Sequence, residues 1–492
     1  MNIKSIFKQK SGKNVIVGLL YQVVSILMGL ILPHLFITEF GSETNGLMNS
    51  VGQVFTCLGL LEAGVGTATI QALYKPINTD DHDEINHILS ATNRFYRKIG
   101  IIYTGSFIVL ALVYPFFVDS EIANSTIRYV ILLEGASSVI RYFVQSKYTA
   151  FLTAEGKNYI LSYLLLFGVL FRNFGKIFAI KLGYGIVAVQ FVQLLAVLIE
   201  ASFVLIYVKS HYRWINLKTE PDYRAISAKN SVLIQSIAWM VFNHTDILLL
   251  TVFTKNLMFV SVYSVYALIF EAGQNVMNII RDSYSYKLGA IYVKGKNEFE
   301  SYFSKYSIII ISITFAVFTA IYLISVPFVR IYTASVEDIN YAVRFVPELF
   351  LLFKLLYGSR ALNKQIVEVS GAFKKVSHIA IIEAALNIIL SVTLIWKLDI
   401  VGVLIGTVVA LVYSFIAYMR YLKNENMFQI FASECKSYII CAVVTIAFFI
   451  MNLLIPVAIN GWISLIICTI ICSVVILIAY GIITLLRIKH RG

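Results

Sequence analysis

Long runs of apolar residues separated by short polar stretches fill almost the whole chain. A helix needs about 20 apolar residues to cross a hydrocarbon core of about 30 Å. The first run is too long for a signal-peptide core and no small-residue cleavage site follows it, so we expect a retained helix. The pattern predicts fourteen membrane-spanning helices, at 14–37, 46–73, 95–118, 124–148, 158–180, 184–208, 226–253, 257–283, 303–330, 337–363, 374–396, 400–422, 434–457 and 461–486.

Short sequence motifs in the first half of the chain recur about 210 residues later. The Glu-Ala-Gly sequence at 62–64 returns at 271–273, and Lys181 returns as Lys397. Two like-oriented halves of six helices are typical of transporters with a site between the repeats. The sequence therefore predicts an all-α polytopic membrane protein with three parts: an N-terminal six-helix bundle at 1–211, a C-terminal six-helix bundle at 212–425, and two extra helices at 426–492.

The composition excludes an ordinary soluble protein, because 59% of the residues are hydrophobic and only 14% are charged. A net charge of +13 raises the question of nucleic-acid binding, but the distribution of the 40 Lys and Arg residues argues against it. With the N-terminus inside, 29 of them fall on the cytoplasmic side and only four on the opposite side. This asymmetry predicts that both termini are cytoplasmic and that the basic loops meet anionic lipid headgroups.

The connections between spans argue against an enzyme. The five cysteines lie in or beside spans without paired loop spacing, so neither a disulfide nor a zinc site is expected. The external connections are short turns, whereas a polymerase or ligase acting on lipid-linked sugars would carry a large external catalytic loop. The longest loops are cytoplasmic, and we expect a short amphipathic helix along the inner surface around residues 83–97.

Ionisable residues inside the spans are the candidate functional residues, because each costs about 2.5–3.5 kcal/mol at mid-membrane unless it faces a cavity or a partner. Away from the helix ends, the basic residues are Arg128, Arg141, Arg172, Lys176, Arg344, Lys354 and Arg360. The acidic residues include Glu62, Glu134, Glu200, Asp246, Glu271, Glu348 and Glu383.

Two explanations of these charges stay open. Acids and bases can pair, as Arg344 and Glu348 can do at i,i+4 on one helix face, where Pro347 is expected to distort the span. Alternatively, the surplus cations Arg141, Arg172 and Lys354 line a cavity and bind an anionic headgroup, since guanidinium matches phosphate oxygens in bidentate geometry.

Glu62 and Glu271 occupy matching places in the two halves, each one residue before an Ala-Gly pair. Small residues let helices approach closely, which accounts for the Ala-Gly pairs but not for the carboxylates. We expect these carboxylates to face a cavity and bind substrate or a proton, or to pair with a basic residue on an adjacent helix.

The plan of twelve spans in two halves plus two extra spans resembles the polysaccharide (O-antigen type) flippase family of the multidrug/oligosaccharidyl-lipid/polysaccharide exporter superfamily. Local sequence agrees: Lys-Asn-Val at 13–15 opens the first span, Phe-Gly at 40–41 follows it, and Asn-His-Thr-Asp-Ile-Leu at 243–248 occupies the seventh span, where this family often has an Asp. The resemblance covers nearly the whole chain. It implies two bundles around a central cavity that opens alternately to either side of the bacterial cytoplasmic membrane.

The implied activity is movement of polyprenyl-pyrophosphate-linked oligosaccharide repeat units from the inner to the outer leaflet, beside a polysaccharide polymerase and glycosyltransferases. No cofactor is expected beyond Na⁺ or H⁺ as coupling ion. A cation-coupled multidrug exporter of the same fold is the first alternative. A polytopic envelope glycosyltransferase is the second, disfavoured by the absence of a large catalytic loop.

A cation-coupling site is expected between the seventh, eleventh and twelfth spans. At about 1.5 Å rise per residue, Asp246 and Thr407 lie about 10 Å below the external end and Asn387 about 13 Å. Their oxygens could coordinate Na⁺, or Asp246 could carry a proton alone. Glu383 lies about 20 Å down and would join only if the helix tilts. The plain alternative is that Asp246 bonds to a neighbouring side chain.

Overall fold

The computed structural model describes residues 10–62, 64–225, 245–454, 459 and 461–489. These residues form helices joined by turns and loops, without a β-strand among them. Eight of the described helices are long and apolar enough to cross a membrane. The predicted all-helical membrane class is therefore confirmed, and the count of fourteen spans stays a prediction.

The chain groups into two compact units, Met1–Ser261 and Val262–Gly492. The end of the seventh predicted span thus falls in the first unit, whereas the repeat assigns it to the second half. The boundaries at 211 and 425 stay predictions. Helices of the first unit are α1 (Lys10–Phe40), α2 (Ser42–Leu58), α3 (Val65–Asn78), α4 (His82–Val113), α5 (Asn124–Ile140), α6 (Ser146–Ala154), α7 (Asn158–Lys181) and α8 (Ile186–His211).

Two of the predicted spans in this unit are interrupted. The second span breaks between α2 and α3 at the 3₁₀ turn Gly59–Glu62 and at Gly64, whose φ of 89° suits only a residue without a Cβ. The fourth span contains a π-helical turn, Arg141–Gln145, between α5 and α6. A π turn inserts one residue into the helix, so side chains after it point to a different face than regular helical spacing predicts.

The loop at 212–222 packs on the N-terminal turns of α4. The ring of Trp214 stacks on His82 at 3.8 Å between centroids, and Ser90 Oγ donates to the carbonyl of Leu217 at 3.0 Å. The expectation of a separate amphipathic helix around 83–97 is wrong, because α4 runs unbroken from His82 to Val113. Its buried face there packs against the loop instead.

The described residues of the second unit form six helices, the first of which begins in the first unit. They are α9 (Leu257–Tyr292), α10 (Lys296–Tyr332), α11 (Val346–Ser370), α12 (Phe373–Asn424), α13 (Phe428–Leu454) and α14 (Trp462–Lys489). The eleventh and twelfth predicted spans both lie in α12, whose helical path breaks at Asp399 with φ 45°. The two parts fold back on each other, because Ser391 Oγ donates to the carbonyl of Val403 at 3.3 Å. Both extra helices, α13 and α14, pack on α10.

The tenth predicted span, 337–363, begins too early. α11 starts at Val346, after Phe345 in a left-handed conformation at φ 68°. Pro347 therefore lies in the first turn of the helix, where its missing N–H costs nothing, and it does not distort the span as expected. Arg344 precedes the helix, so the predicted i,i+4 pairing with Glu348 is wrong. Its guanidinium lies over the Phe345 ring, at 4.6 Å from the centroid.

Candidate functional site

The π-helical turn after α5, together with α7 and α8, places two arginines around one carboxylate in the first unit. Arg141 Nη2 lies 3.9 Å from Glu200 Oε2, and Arg172 Nη1 lies 3.7 Å from Glu200 Oε1. Glu200 is 4% exposed, whereas 43% of the Arg141 side chain is exposed. Gly168 on α7 leaves the space for this carboxylate, because a Cβ there would overlap it. The two predicted substrate-binding arginines are therefore brought together around one carboxylate.

Glu62 lies near enough to Arg141 for the two charges to interact. The repeat distance of about 210 residues relates Arg141 to Lys354, as it relates Glu62 to Glu271. In the second unit these residues make a direct ion pair, in which Lys354 Nζ contacts Glu271 Oε1. Lys354 is almost fully buried and Glu271 is half exposed. Each half thus places a base from one helix beside an acid from another, at the positions that the repeat relates. This agreement supports the predicted repeat, and it leaves the substrate-binding role of these residues a prediction.

The remaining intramembrane acids have different partners. Glu134 accepts from Gln190 Nε2 at 3.1 Å, and Glu348 accepts from the Tyr322 hydroxyl at 3.2 Å. Lys176 is buried and lies close enough to Glu134 for their charges to interact. Pairing therefore accounts for most of the charge inside the described helices.

Two of the four predicted cation-coupling residues meet in α12. Asn387 Nδ2 donates to Thr407 Oγ1 at 2.8 Å, and both residues are buried. The carbonyl oxygen Asn387 Oδ1 is buried without a hydrogen-bond partner among the described residues. Such an oxygen can ligate a hard cation.

Glu383 lies one turn before Asn387 on α12 and has partners of its own. Glu383 pairs with Arg360, whose Nε is 3.0 Å from Oε1, and accepts from Ser414 Oγ at 2.8 Å. Its charge is therefore already matched within the second unit. Asp246 is buried in the first unit, and its neighbours at 243 and 244 lie outside the described residues.

One basic residue was missed at the sequence level. Arg281 on α9 is buried, and its Nη2 contacts Asn278 Oδ1 while Nη1 has no hydrogen-bond partner among the described residues. Arg281 lies near the cytoplasmic end of the eighth predicted span, 257–283. Gln274, Asn278 and Arg281 follow at spacings of four and three residues, and this polar stripe on an apolar helix is the signal that identifies it.

Comparison with solved structures identifies the fold. The lipid II flippase MurJ in an inward closed conformation superposes with a TM-score of 0.70 at 13% identity, over 94% of this chain and 98% of that one. An inward-facing multidrug resistance MATE family transporter of the MOP superfamily gives 0.66 at 14% identity, over 82% and 95%. MATE in a bent conformation gives 0.56 at 15% identity, over 87% and 98%.

No family model and no curated protein sequence matches this chain. At such identities the structural similarity shows the fold alone, which this chain shares with the MurJ and MATE structures. The similar structures are transporters rather than enzymes.

Proposed function

We propose that this protein is a flippase that moves polyprenyl-pyrophosphate-linked oligosaccharide repeat units from the inner to the outer leaflet of the bacterial cytoplasmic membrane by alternating access. The fold supports the proposal, because the lipid II flippase MurJ superposes over almost the full length of both chains. The basic loops support an orientation with both termini in the cytoplasm.

The observation that carries the proposal is the pair of arginines around Glu200. Charge-assisted hydrogen bonds between guanidinium and carboxylate are about 2.7–2.9 Å long. The distances of 3.7 and 3.9 Å are longer, so the N–H donors of Arg141 and Arg172 are not committed to Glu200. Two guanidinium groups whose N–H donors are not committed to Glu200 match the phosphate oxygens of a pyrophosphate.

Cation-coupled multidrug export is the second candidate, favoured by the similarity to MATE transporters and by the half-exposed carboxylate of Glu271. An exposed carboxylate attracts organic cations, whereas exposed guanidinium repels them. Removal of the arginines should therefore lower transport of the substrate if the protein is a flippase, and raise it if the protein exports organic cations.

The experiment compares variants of the two arginines with a control arginine variant, in cells that depend on this protein for surface polysaccharide. Arg141→Gln and Arg172→Gln should each lower surface polysaccharide by about tenfold at unchanged membrane abundance, because about 1.4 kcal/mol of lost binding corresponds to a factor of ten. Arg→Lys should restore part of the export, since lysine keeps the charge but loses the bidentate geometry.

Arg128→Gln serves as the control, because among the described residues Arg128 forms no ion pair with Glu200. Unchanged polysaccharide in the double variant Arg141→Gln/Arg172→Gln, together with lost resistance to cationic dyes in Glu271→Gln, would favour the exporter instead.

For energy coupling, we propose that Asn387 and Thr407 hold a coupling cation and that Asp246 contributes a titratable charge. The buried Asn387 Oδ1, which has no hydrogen-bond partner in the described part of the chain, supports the first part. Asn387→Leu should abolish the dependence of transport on a Na⁺ gradient in proteoliposomes if the ion is Na⁺. Asp246→Asn removes a charge at constant size, and gradient dependence that persists in this variant would exclude Asp246 as a coupling residue.

A further inference from the structure

A further buried carboxylate lies in the part of the chain outside the predicted repeat. Glu434 on α13 is fully buried, with 0% of its surface exposed, and it faces Asn363 on α11, which is 1% exposed. Asn363 Nδ2 donates to Glu434 Oε2 at 3.2 Å. This contact joins an extra helix to the helix that carries Lys354 and Arg360.

The orientation of the Asn363 amide is fixed by a second bond. Its Nδ2 also donates to the carbonyl of Ser359 at 3.2 Å, and a carbonyl accepts only from the NH₂ side of the amide. Both amide hydrogens are thereby used. Asn363 Oδ1 and Glu434 Oε1 are buried acceptor atoms without a hydrogen-bond partner among the described residues. An ionised Glu434 would leave these two oxygens unsatisfied, which is costly in a protein interior.

The surroundings of Glu434 also disfavour a charge. Among the described residues, no Lys or Arg nitrogen forms an ion pair with it. Arg487 on α14 is directed to the Ser437 hydroxyl and to the carbonyl of Ser433. One turn further along α13, Tyr438 packs its ring against Phe415 at 5.1 Å between centroids. A buried carboxylate without a cation takes up a proton rather than remain ionised.

We propose that Glu434 and Asn363 form a proton-binding site in which the neutral acid and the amide exchange two hydrogen bonds. Asn363 Nδ2 donates to Oε2, and the proton on Oε1 supplies the donor that Asn363 Oδ1 lacks. One proton thus satisfies both unpartnered oxygens. The proton holds α13 to α11, so that separating these helices exposes a carboxylic acid that can release it. This assignment is independent of the transported substrate.

The site is tested by infrared spectroscopy of the purified full-length protein in liposomes at neutral pH. A protonated carboxyl group absorbs above the amide I band, and the ionised form does not. We expect Glu434→Gln to remove part of this absorption, since Gln can make the same two bonds to Asn363 without an ionisable proton. Glu383→Gln is the matched control: Glu383 is equally buried but paired with Arg360, so the absorption should be retained.

A second variant keeps Glu434 and changes its partner. In Asn363→Leu the acid remains protonated but loses the amide donor, so its carbonyl absorption should shift to higher frequency. Retention of the complete wild-type absorption in Glu434→Gln would show that Glu434 is ionised and would overturn the proposal. An unshifted band in Asn363→Leu would overturn the pairing with Asn363, even if Glu434→Gln failed to fold.

Discussion

The ion pair between Arg360 and Glu383 gives a quantitative test of how the buried charges are balanced. Glu383 is 1% exposed and Arg360 is 17% exposed, with 3.0 Å between Arg360 Nε and Glu383 Oε1. Removing one partner of a buried pair costs about 3–5 kcal/mol, because the other charge is left without a counter-ion. Arg360 keeps some solvent contact, so Arg360→Met should lower the free energy of unfolding by about 3 kcal/mol.

Replacing both residues removes the unpaired charge. The double variant Arg360→Met/Glu383→Met should therefore unfold with a free energy within about 1 kcal/mol of wild type, since apolar replacements of buried pairs are often neutral. The assay is reversible SDS-induced unfolding in mixed micelles, analysed as a double-mutant cycle. Lys294→Met is the control, because the exposed pair of Lys294 with Glu298 at 3.5 Å should contribute less than about 0.5 kcal/mol. Costs of the two single variants that simply add in the double variant would refute the reasoning.

Three further predictions concern the membrane topology, the space around two glycines and the charge of one lysine. Single cysteines in a background without the native cysteines should react with an impermeant thiol reagent on intact cells at Glu121 and Asn340 but not at Asp83 and Asn297; the reverse pattern would invert the topology. Gly46→Ala should prevent folding, because a Cβ there overlaps a backbone carbonyl of α9, whereas Gly52→Ala, with open space around it, should express as wild type. Burial alone would lower the pKa of Lys157, but its bonds to Glu155 and a neighbouring tyrosine raise it. The charged lysine therefore contributes stability at neutral pH that is lost only as the pH rises above about 10.4. Glu155→Gln should weaken the fall of the melting temperature at alkaline pH, and an unchanged fall in that variant would contradict this.

The helical membrane class could be predicted from the sequence because apolar run length reports directly on span formation. The related charge pairs could also be predicted in outline, since Glu62 and Glu271 occupy matching places and Arg141 corresponds to Lys354. In the structure these residues lie near one another in each unit.

The rest depends on local backbone geometry and on contacts between distant helices. The π turn after Ile140 and the break at Gly64 alter which side chains share a face, and no hydropathy pattern reports such turns. The place of Glu200 between two arginines requires the π turn at Arg141 to meet α7 and α8, with Gly168 leaving the space for the carboxylate. Glu434 lies at the edge of its predicted span, so hydropathy alone gave no reason to expect it in the interior of the second unit.

The most direct test of the proposed flippase activity is translocation by the purified protein in proteoliposomes. A polyprenyl-pyrophosphate-linked oligosaccharide with a fluorescent sugar is placed in one leaflet, and its arrival in the other is followed by an impermeant quencher. We predict that the wild-type protein accelerates this movement, that Arg141→Gln/Arg172→Gln slows it to the rate of empty liposomes, and that a cationic dye is not transported. Transport of the dye without movement of the lipid-linked oligosaccharide would contradict the proposal and identify the protein as an exporter.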